Sequence, residues 1–419
     1  MPGRRIFVDT TPLRESRDFR LLFTGTLVST LGTQLTVVAI PYQVYSMTHS
    51  TLQVGAISLA QLFPFLAGAL AAGPIGDAVD KRPLMVWTSV AMVLTSAGLA
   101  LNAAADHPSL VALYLVSSLA AGFQGFANTA RMASTAGLVE RRHLTTAMAM
   151  TQIVFQLGTV IGPALSGVVI GVGLPLAYAL DSATFLVAAL TAVLLQPIAP
   201  HPDAASLTVW QSTKEGLRYL RSRQALQGVY LIDINAMVFG MPRALFPAMA
   251  GSVFGGGTIT LGLLYAAPGA GALIGALTTG WVDRLRRQGW AVIVAVTVWG
   301  AAIAVFGLVD TLWVALVLLA IAGWADVISA VLRNTILQST IPARLRSRMS
   351  SIQMAVVQGG PRLGDLESGA VAAATTLEFA VVSGGLACIA GAAVIGALLP
   401  VFRHHTADTG EIDDDVSTV

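Results

Sequence analysis

The sequence predicts an all-α membrane protein, with twelve transmembrane helices in two pseudo-symmetric six-helix bundles. Three observations carry this. The 419 residues are 55% hydrophobic and only 11% charged, against roughly 25% charged in a soluble domain, and the mean hydropathy is +0.74. Twelve apolar runs reach the roughly 20 residues that cross a bilayer. Two residue patterns recur about half a chain apart.

The runs lie near 19–44, 52–76, 84–104, 109–135, 144–171, 174–196, 225–250, 257–282, 289–309, 311–338, 347–374 and 377–402. The one long interruption is 197–224. There Leu207, Trp210, Leu217 and Leu220 share a helical face opposite Lys214, Arg218 and Arg221, the pattern of a helix lying on a membrane surface. The division is therefore an arm at 1–18, a six-helix bundle at 19–196, a linker at 197–224, a second bundle at 225–402 and a tail at 403–419. The acidic tail is expected to be disordered.

Orientation follows from the basic residues. Twenty of the 24 Lys and Arg lie on the arm, the linker, the tail and the loops after helices two, four, eight and ten, or in the first residues of the helices adjoining them. The opposite loops carry His49, Asp106, His107, Asp310 and Glu378, without Lys or Arg. The positive-inside rule puts both termini in the cytoplasm. The two repeats agree with six plus six. Asn128-Thr129 with Ser134-Thr135 recurs as Asn334-Thr335 with Ser339-Thr340, and Gly162-Pro163 recurs as Gly360-Pro361. Paired halves with a site between them are a transporter architecture.

Between helices two and three, GPIGDAVDKRPL (Gly73–Leu84) reads as a tight loop at the membrane surface. Gly73 and Gly76 let helix ends approach, and Asp77 and Asp80 face Lys81 and Arg82. Lys81 and Arg82 serve orientation while acids count little in that rule, so the stretch reads either as an orienting loop or as a latch whose basic partner is Arg131 near the end of helix four or a base at the start of helix eleven.

The remaining charges fall inside spans, where each must face protein or water and find a partner. Basic residues are Arg131, Arg243, Arg333 and Arg362; acids are Asp181, Asp233, Asp326, Asp365 and Glu367. Asp326 and Arg333, seven apart, share a helical face. Arg362 and Asp365, three apart, can bridge locally. Asp233, Asp326, Asp365 and Glu367 are the proton-coupling candidates; Asp181, near the start of helix six, reads as a surface or cap residue. Helix five carries GTVIGPALSG, in which Gly158, Gly162, Pro163 and Gly167 give a smooth packing face. One cysteine, Cys388, excludes an intrachain disulfide or Cys-based metal site, and the lone histidines have no metal spacing. No GxxxxGK[ST] phosphate loop is present, so ATP has no engine here. No nucleophile–base pair suggests an enzyme.

These residues resemble the major facilitator superfamily. Gly73–Arg82 resembles its loop signature GxLaDrxGrkr, departing at Ala78 and Asp80. Gly158–Gly167 resembles the helix-five signature gxxxGPxxGG of proton-exchanging exporters, with Ser166 for one glycine. The helix-four signature RxxxG has Ala121 where its arginine belongs, so no proton role carries over there. Within the superfamily, residues 37–55, 101–116 and 323–342 resemble the siderophore (enterobactin) exporter group, whose branch includes drug efflux pumps. The resemblance implies export of a siderophore or similarly bulky amphipathic molecule by alternating access, in exchange for protons. It implies a monomer in the bacterial cytoplasmic membrane with no cofactor, no nucleic acid, and the lipid bilayer as surroundings. Helices one, four, seven and ten then line a central cavity, with Gln34, Gln43, Gln124, Asn128, Asn235, Arg243, Arg333 and Arg362 as candidate lining groups. The alternative is a proton-coupled uptake symporter for a sugar or organic anion.

Overall fold

A computed structural model describes residues 11–197, 209–342 and 345–406. Most of the arm, the start of the linker and the acidic tail lie outside the described residues. Spans one to six are the helices Arg17–Thr48, Thr51–Ala78, Lys81–Ala104, Leu110–Leu138, Leu144–Val172 and Leu174–Val193. Span seven is Gln224–Phe239 with Phe246–Ser252, and spans eight to twelve are Thr258–Thr278, Gln288–Phe306, Leu312–Thr340, Arg346–Ala374 and Leu377–Leu398. Among the described residues, eleven are long and apolar enough to cross a membrane. The other, span eleven, has 29 residues, or about 43 Å of helix at 1.5 Å per residue; its internal charges are what lower its hydropathy. Large apolar side chains such as Leu101, Val172, Leu277 and Trp313 are more than 70% exposed. In water such surface would be an aggregation hazard; in hydrocarbon it is at home.

The chain forms two compact units. The first comprises Met1–Thr48, Ala60–Ser206 and Gly256–Ala266; the second comprises His49–Leu59, Leu207–Gly255 and Ala267–Val419. Each unit thus includes the opening turns of a span from the other half of the chain. His49, at φ 50°, makes the tight turn into span two.

Three glycines in each unit explain that inclusion. In the first unit, span five sets Gly158 against Thr30 and Gly162 against Gln34 of span one, and Gly167 against Thr258 and Gly262 of span eight. In the second, span eleven sets Gly360 and Gly364 against Met237 and Val238 of span seven, and Gly369 against Thr51 and Gly55 of span two. The triplets stand in one register, 202 residues apart (158 to 360, 162 to 364, 167 to 369). A Cβ on Gly364 would meet the Met237 carbonyl oxygen at 2.5 Å, so only glycine permits the crossing. The Thr51 hydroxyl donates to the Gly369 carbonyl at 3.0 Å, closing the second crossing. The prolines suggest an offset of 198, one turn short of the structural register. In the true register Asp365 occupies the place of Pro163.

Two elements differ from the sequence reading. Span seven is interrupted at Gly240–Pro242: Pro242 has no N–H to donate and disfavours helical backbone at Met241. The Trp299 indole N–H donates to the freed Gly240 carbonyl at 2.7 Å. Second, the loop after span two shrinks to Val79–Asp80, because the helix runs on to Ala78. Asp80 caps span three by accepting from the Arg82 N–H at 2.9 Å. The Arg82 guanidinium donates to the Val193 carbonyl at 2.6 Å, at the end of span six. The linker helix, Val209–Ser222, is present; its Tyr219 hydroxyl donates to the Thr340 carbonyl at 3.0 Å.

After span twelve, Pro400–Thr406 folds back on the second unit. Phe402 is fully buried against Gly228 and Gly289, and the Gly289 N–H donates to the His405 carbonyl. Burial pulls the His405 imidazole below its ordinary value. The neutral ring is therefore the one that fits, and its contribution is lost as pH falls through the unfolded value near 6.5.

Two outcomes follow. Gly364→Val overpacks a backbone crossing and costs about 1–3 kcal/mol, read as a lower melting temperature in detergent, while Gly251→Val, with open space around it, leaves the temperature unchanged. His405→Asn flattens the loss of thermal stability between pH 7 and 5 relative to the parent.

Candidate functional site

The second unit concentrates the intramembrane charges. Span seven brings Asp233, 1% exposed, to 2.7 Å from Arg333 of span ten, itself 5% exposed. Arg333 also reaches Asp326, one face and seven residues back on its own helix, at 3.7 Å. One guanidinium therefore serves two carboxylates, and Asp326 keeps 30% of its side chain exposed. The Gln353 amide of span eleven approaches Asp233 as well. A buried ion pair holds only if each partner is compensated; here a single cation compensates a fully buried acid and leaves the second acid partly open.

The interruption in span seven positions the next charge. Arg243 follows Pro242 directly, and its side chain is exposed although Met241, Pro242 and Ala244 around it are buried. Its charge acts on both Asp326 and Asp365. Asp365, on span eleven, accepts from the Ser58 hydroxyl of span two and from the Ala244 N–H just past the break. Arg362, one turn away on the same helix, acts on Asp365 through its charge. Glu367 is half-buried on the same helix. Acids and bases thus alternate from Asp233 through Arg333, Asp326, Arg243 and Asp365 to Arg362. A proton or ligand that occupies one member alters the field at the next.

The other predicted residues are spread across both units. In the first unit, the Gln43 carbonyl accepts from the Tyr178 hydroxyl at 2.7 Å and is buried. Gln34 packs on Gly162, and its backbone carbonyl accepts from the Ser166 hydroxyl at 3.0 Å. Gln124 donates to Asn128 on its own helix at 3.1 Å. In the second unit, Asn235 donates to the Cys388 carbonyl at 2.8 Å. Of these amides, Gln43 and Asn235 bridge helices, whereas Gln124 and Asn128 bond within one. Arg131 lines a small, mostly apolar cleft of the first unit with Ser29, Ser89 and Phe185. Lys81 is buried at the start of span three. The side chain of Asp77 lies outside the described residues, as do the surroundings of Gly73 and Gly76, so the expected pairing of Asp77 with Arg131 does too. Among the described residues, no group of three or more His, Cys, Asp or Glu could hold a metal ion.

Asp181 corrects the sequence reading. It is 1% exposed, neither surface nor cap, and one carboxylate oxygen accepts from both Thr36 and Ser96 at 2.7 Å. The intramembrane-charge rule had flagged it; its place seven residues into span six obscured its depth.

Two bundles of long apolar helices, with a chain of buried charges at an interrupted helix, define a multi-pass membrane transporter. The chain matches, over residues 9–413, the family described as transmembrane secretion effectors, and it belongs to that family, a branch of the major facilitator superfamily. Among curated relatives, a protein named enterobactin exporter from Citrobacter koseri is 31% identical over 91% of this chain and 90% of its own length. A namesake from Shigella boydii is 29% identical over the same shares. Solved structures share the fold: the nucleoside transporter NupG (TM-score 0.73, 12% identity, 91% of this chain and 100% of the other) and a bacterial homologue of the lysosomal transporter Spinster (0.70, 15%, 94% and 96%).

The shared cation gives a stability test. Arg333→Gln strands two acids and costs about 3–5 kcal/mol, measured as reduced thermal stability of purified protein; Asp326→Asn costs far less, because Asp233 retains its partner.

Proposed function

We propose that the protein exports a siderophore, or a similarly bulky amphipathic molecule, from the cytoplasm in exchange for protons. The supporting observation is the Asp233–Arg333–Asp326 group, in which one arginine holds a buried acid and leaves a second acid 30% exposed. As a carboxylate, Asp326 accepts hydrogen bonds from substrate hydroxyls such as those of a catechol. Once protonated it is uncharged, accepts more weakly and turns one oxygen into a donor, so proton and substrate compete for it. Competition at one group is what exchange requires, since each ligand then binds best when the other has left.

Asp233 and Asp326 are the proton carriers in this reading, with Arg333 and Arg243 as their partners and as contacts for anionic parts of the substrate. Asp365, Arg362 and Glu367 extend the path. Gln34, Gln43, Gln124, Asn128 and Asn235 line or brace the substrate route. Gly73, Gly76, Asp77, Asp80, Lys81, Arg82 and Arg131 form a cytoplasmic gate, in which Asp80 and Arg82 act through the helix ends that they cap. The glycines of span five, with Pro163, supply the surface on which span one moves. The basic residues place both termini in the cytoplasm, and the chain acts as a monomer with bundles at 19–196 and 225–402.

The exposed Arg243 favours one rival, uptake of an organic anion together with a proton. There, protonation of Asp326 or Asp365 would release the arginine for the anion, and the pH slope reverses. Binding of a catecholate siderophore to purified protein decides. Exchange predicts weaker binding as pH falls, by up to about tenfold per pH unit while one proton competes, and pH-independent binding in Asp326→Asn. Binding that strengthens with acid contradicts exchange and favours the symporter.

A further inference from the structure

The first unit holds a buried acid for which the charge network of the second has no role. Asp181 lies about 10 Å into span six by helical rise. Its Oδ2 accepts two hydroxyls, from Thr36 of span one and Ser96 of span three, both at 2.7 Å. Its Oδ1 is buried and has no hydrogen-bond partner. That oxygen fronts a notch made by Gly32, where a Cβ would stand 2.8 Å from Oδ1 and closer still to the Thr184 hydroxyl.

Span six packs on spans one, three and five. Span five has no titratable residue, and span three has only Lys81 and Arg82, fourteen or more residues before Ser96 and therefore over 20 Å along the helix. Span one carries Arg17, Asp18 and Arg20 at its start, equally distant, and Tyr42 and Tyr45 beyond Thr36. Tyr178, a turn earlier on span six, is engaged with Gln43. No basic side chain on these elements compensates Asp181, and an uncompensated carboxylate in such surroundings is prohibitively costly.

We propose that Asp181 is a second proton-binding site, cradled by Thr36 and Ser96 and separate from the network around Arg333. The proton adds to Oδ1, the carboxylate becomes the neutral acid, and Oδ2 keeps its two hydroxyl donors. The missing side chain at Gly32 is what lets Oδ1 sit there, since a Cβ would clash with both Oδ1 and the Thr184 hydroxyl. A cleft of about 30 Å³ between spans one, three, four and six, lined by Ser29, Ser89, Met92, Phe185 and Arg131, is large enough to hold water. Its lining residues Phe185 and Met92 stand one helical turn from Asp181 and Ser96. The site stands apart from the exchange reading, since occupancy is measured without any substrate.

Infrared difference spectra of the full-length protein in lipid nanodiscs, taken between acid and alkaline pH, test this. Wild type is expected to show a carboxylic-acid C=O band that Asp181→Asn lacks. Removing the cradle hydroxyls (Thr36→Val with Ser96→Ala) should shift that band to higher frequency. If Asp181→Asn does not fold, the double variant decides alone, an unshifted band overturning the assignment. Spectra of wild type and Asp181→Asn that match at every pH overturn it too. So does a band that responds to sodium at fixed pH and not to pH itself, which would make the site a sodium site.

Discussion

Arg333 is the constraint on which the second unit depends. Asp233 is 1% exposed in a bundle of apolar helices, and the guanidinium 2.7 Å away is what makes that position tenable. The same cation cannot fully serve Asp326 at 3.7 Å. The surplus acid is therefore built into the fold, and it is the open one. Spans seven, ten and eleven must hold their register for this sharing to persist. The glycine crossings of span eleven on span seven and the Trp299 bond to Gly240 fix that register. Packing without side chains at the glycines and charge sharing at the arginine are thus two parts of one arrangement.

The interruption in span seven links the two halves of the charge chain. A continuous helix would leave no free N–H for Asp365, whereas the break offers Ala244 and sets Arg243 between Asp326 and Asp365. Asp365 also receives the Ser58 hydroxyl, where the start of span two crosses span eleven beside Gly55 and Gly369. A change of charge at Asp365 therefore reaches a helix crossing directly. In the first unit the corresponding place is Pro163, which carries no charge, and the polar centre lies instead at Asp181.

The spans were legible in the sequence because bilayer thickness sets a length that hydropathy reads directly. Their internal detail was less so. Pro242 is visible in the sequence, but a hydropathy window averages over the break it causes. The repeat was visible through its prolines, yet the glycines set the register, because backbone contact tolerates no Cβ while proline tolerates a turn of displacement. Asp326 with Arg333 was legible from helical spacing. Asp233 with Arg333 lies 100 residues apart, and only tertiary packing joins them. Asp181 was misplaced for the same reason: its partners, Thr36 and Ser96, are hydroxyls on two other helices and carry no sequence signature.

The central claim is that Asp326 carries the proton whose movement drives the substrate. Proteoliposomes holding the purified protein, with a pH gradient imposed across the membrane, test it directly. Wild type should move a catecholate siderophore against the flow of protons and collapse the gradient as it does so. Asp326→Asn should still exchange substrate at equilibrium but ignore the gradient. Transport by Asp326→Asn that the gradient drives as in wild type would contradict the account.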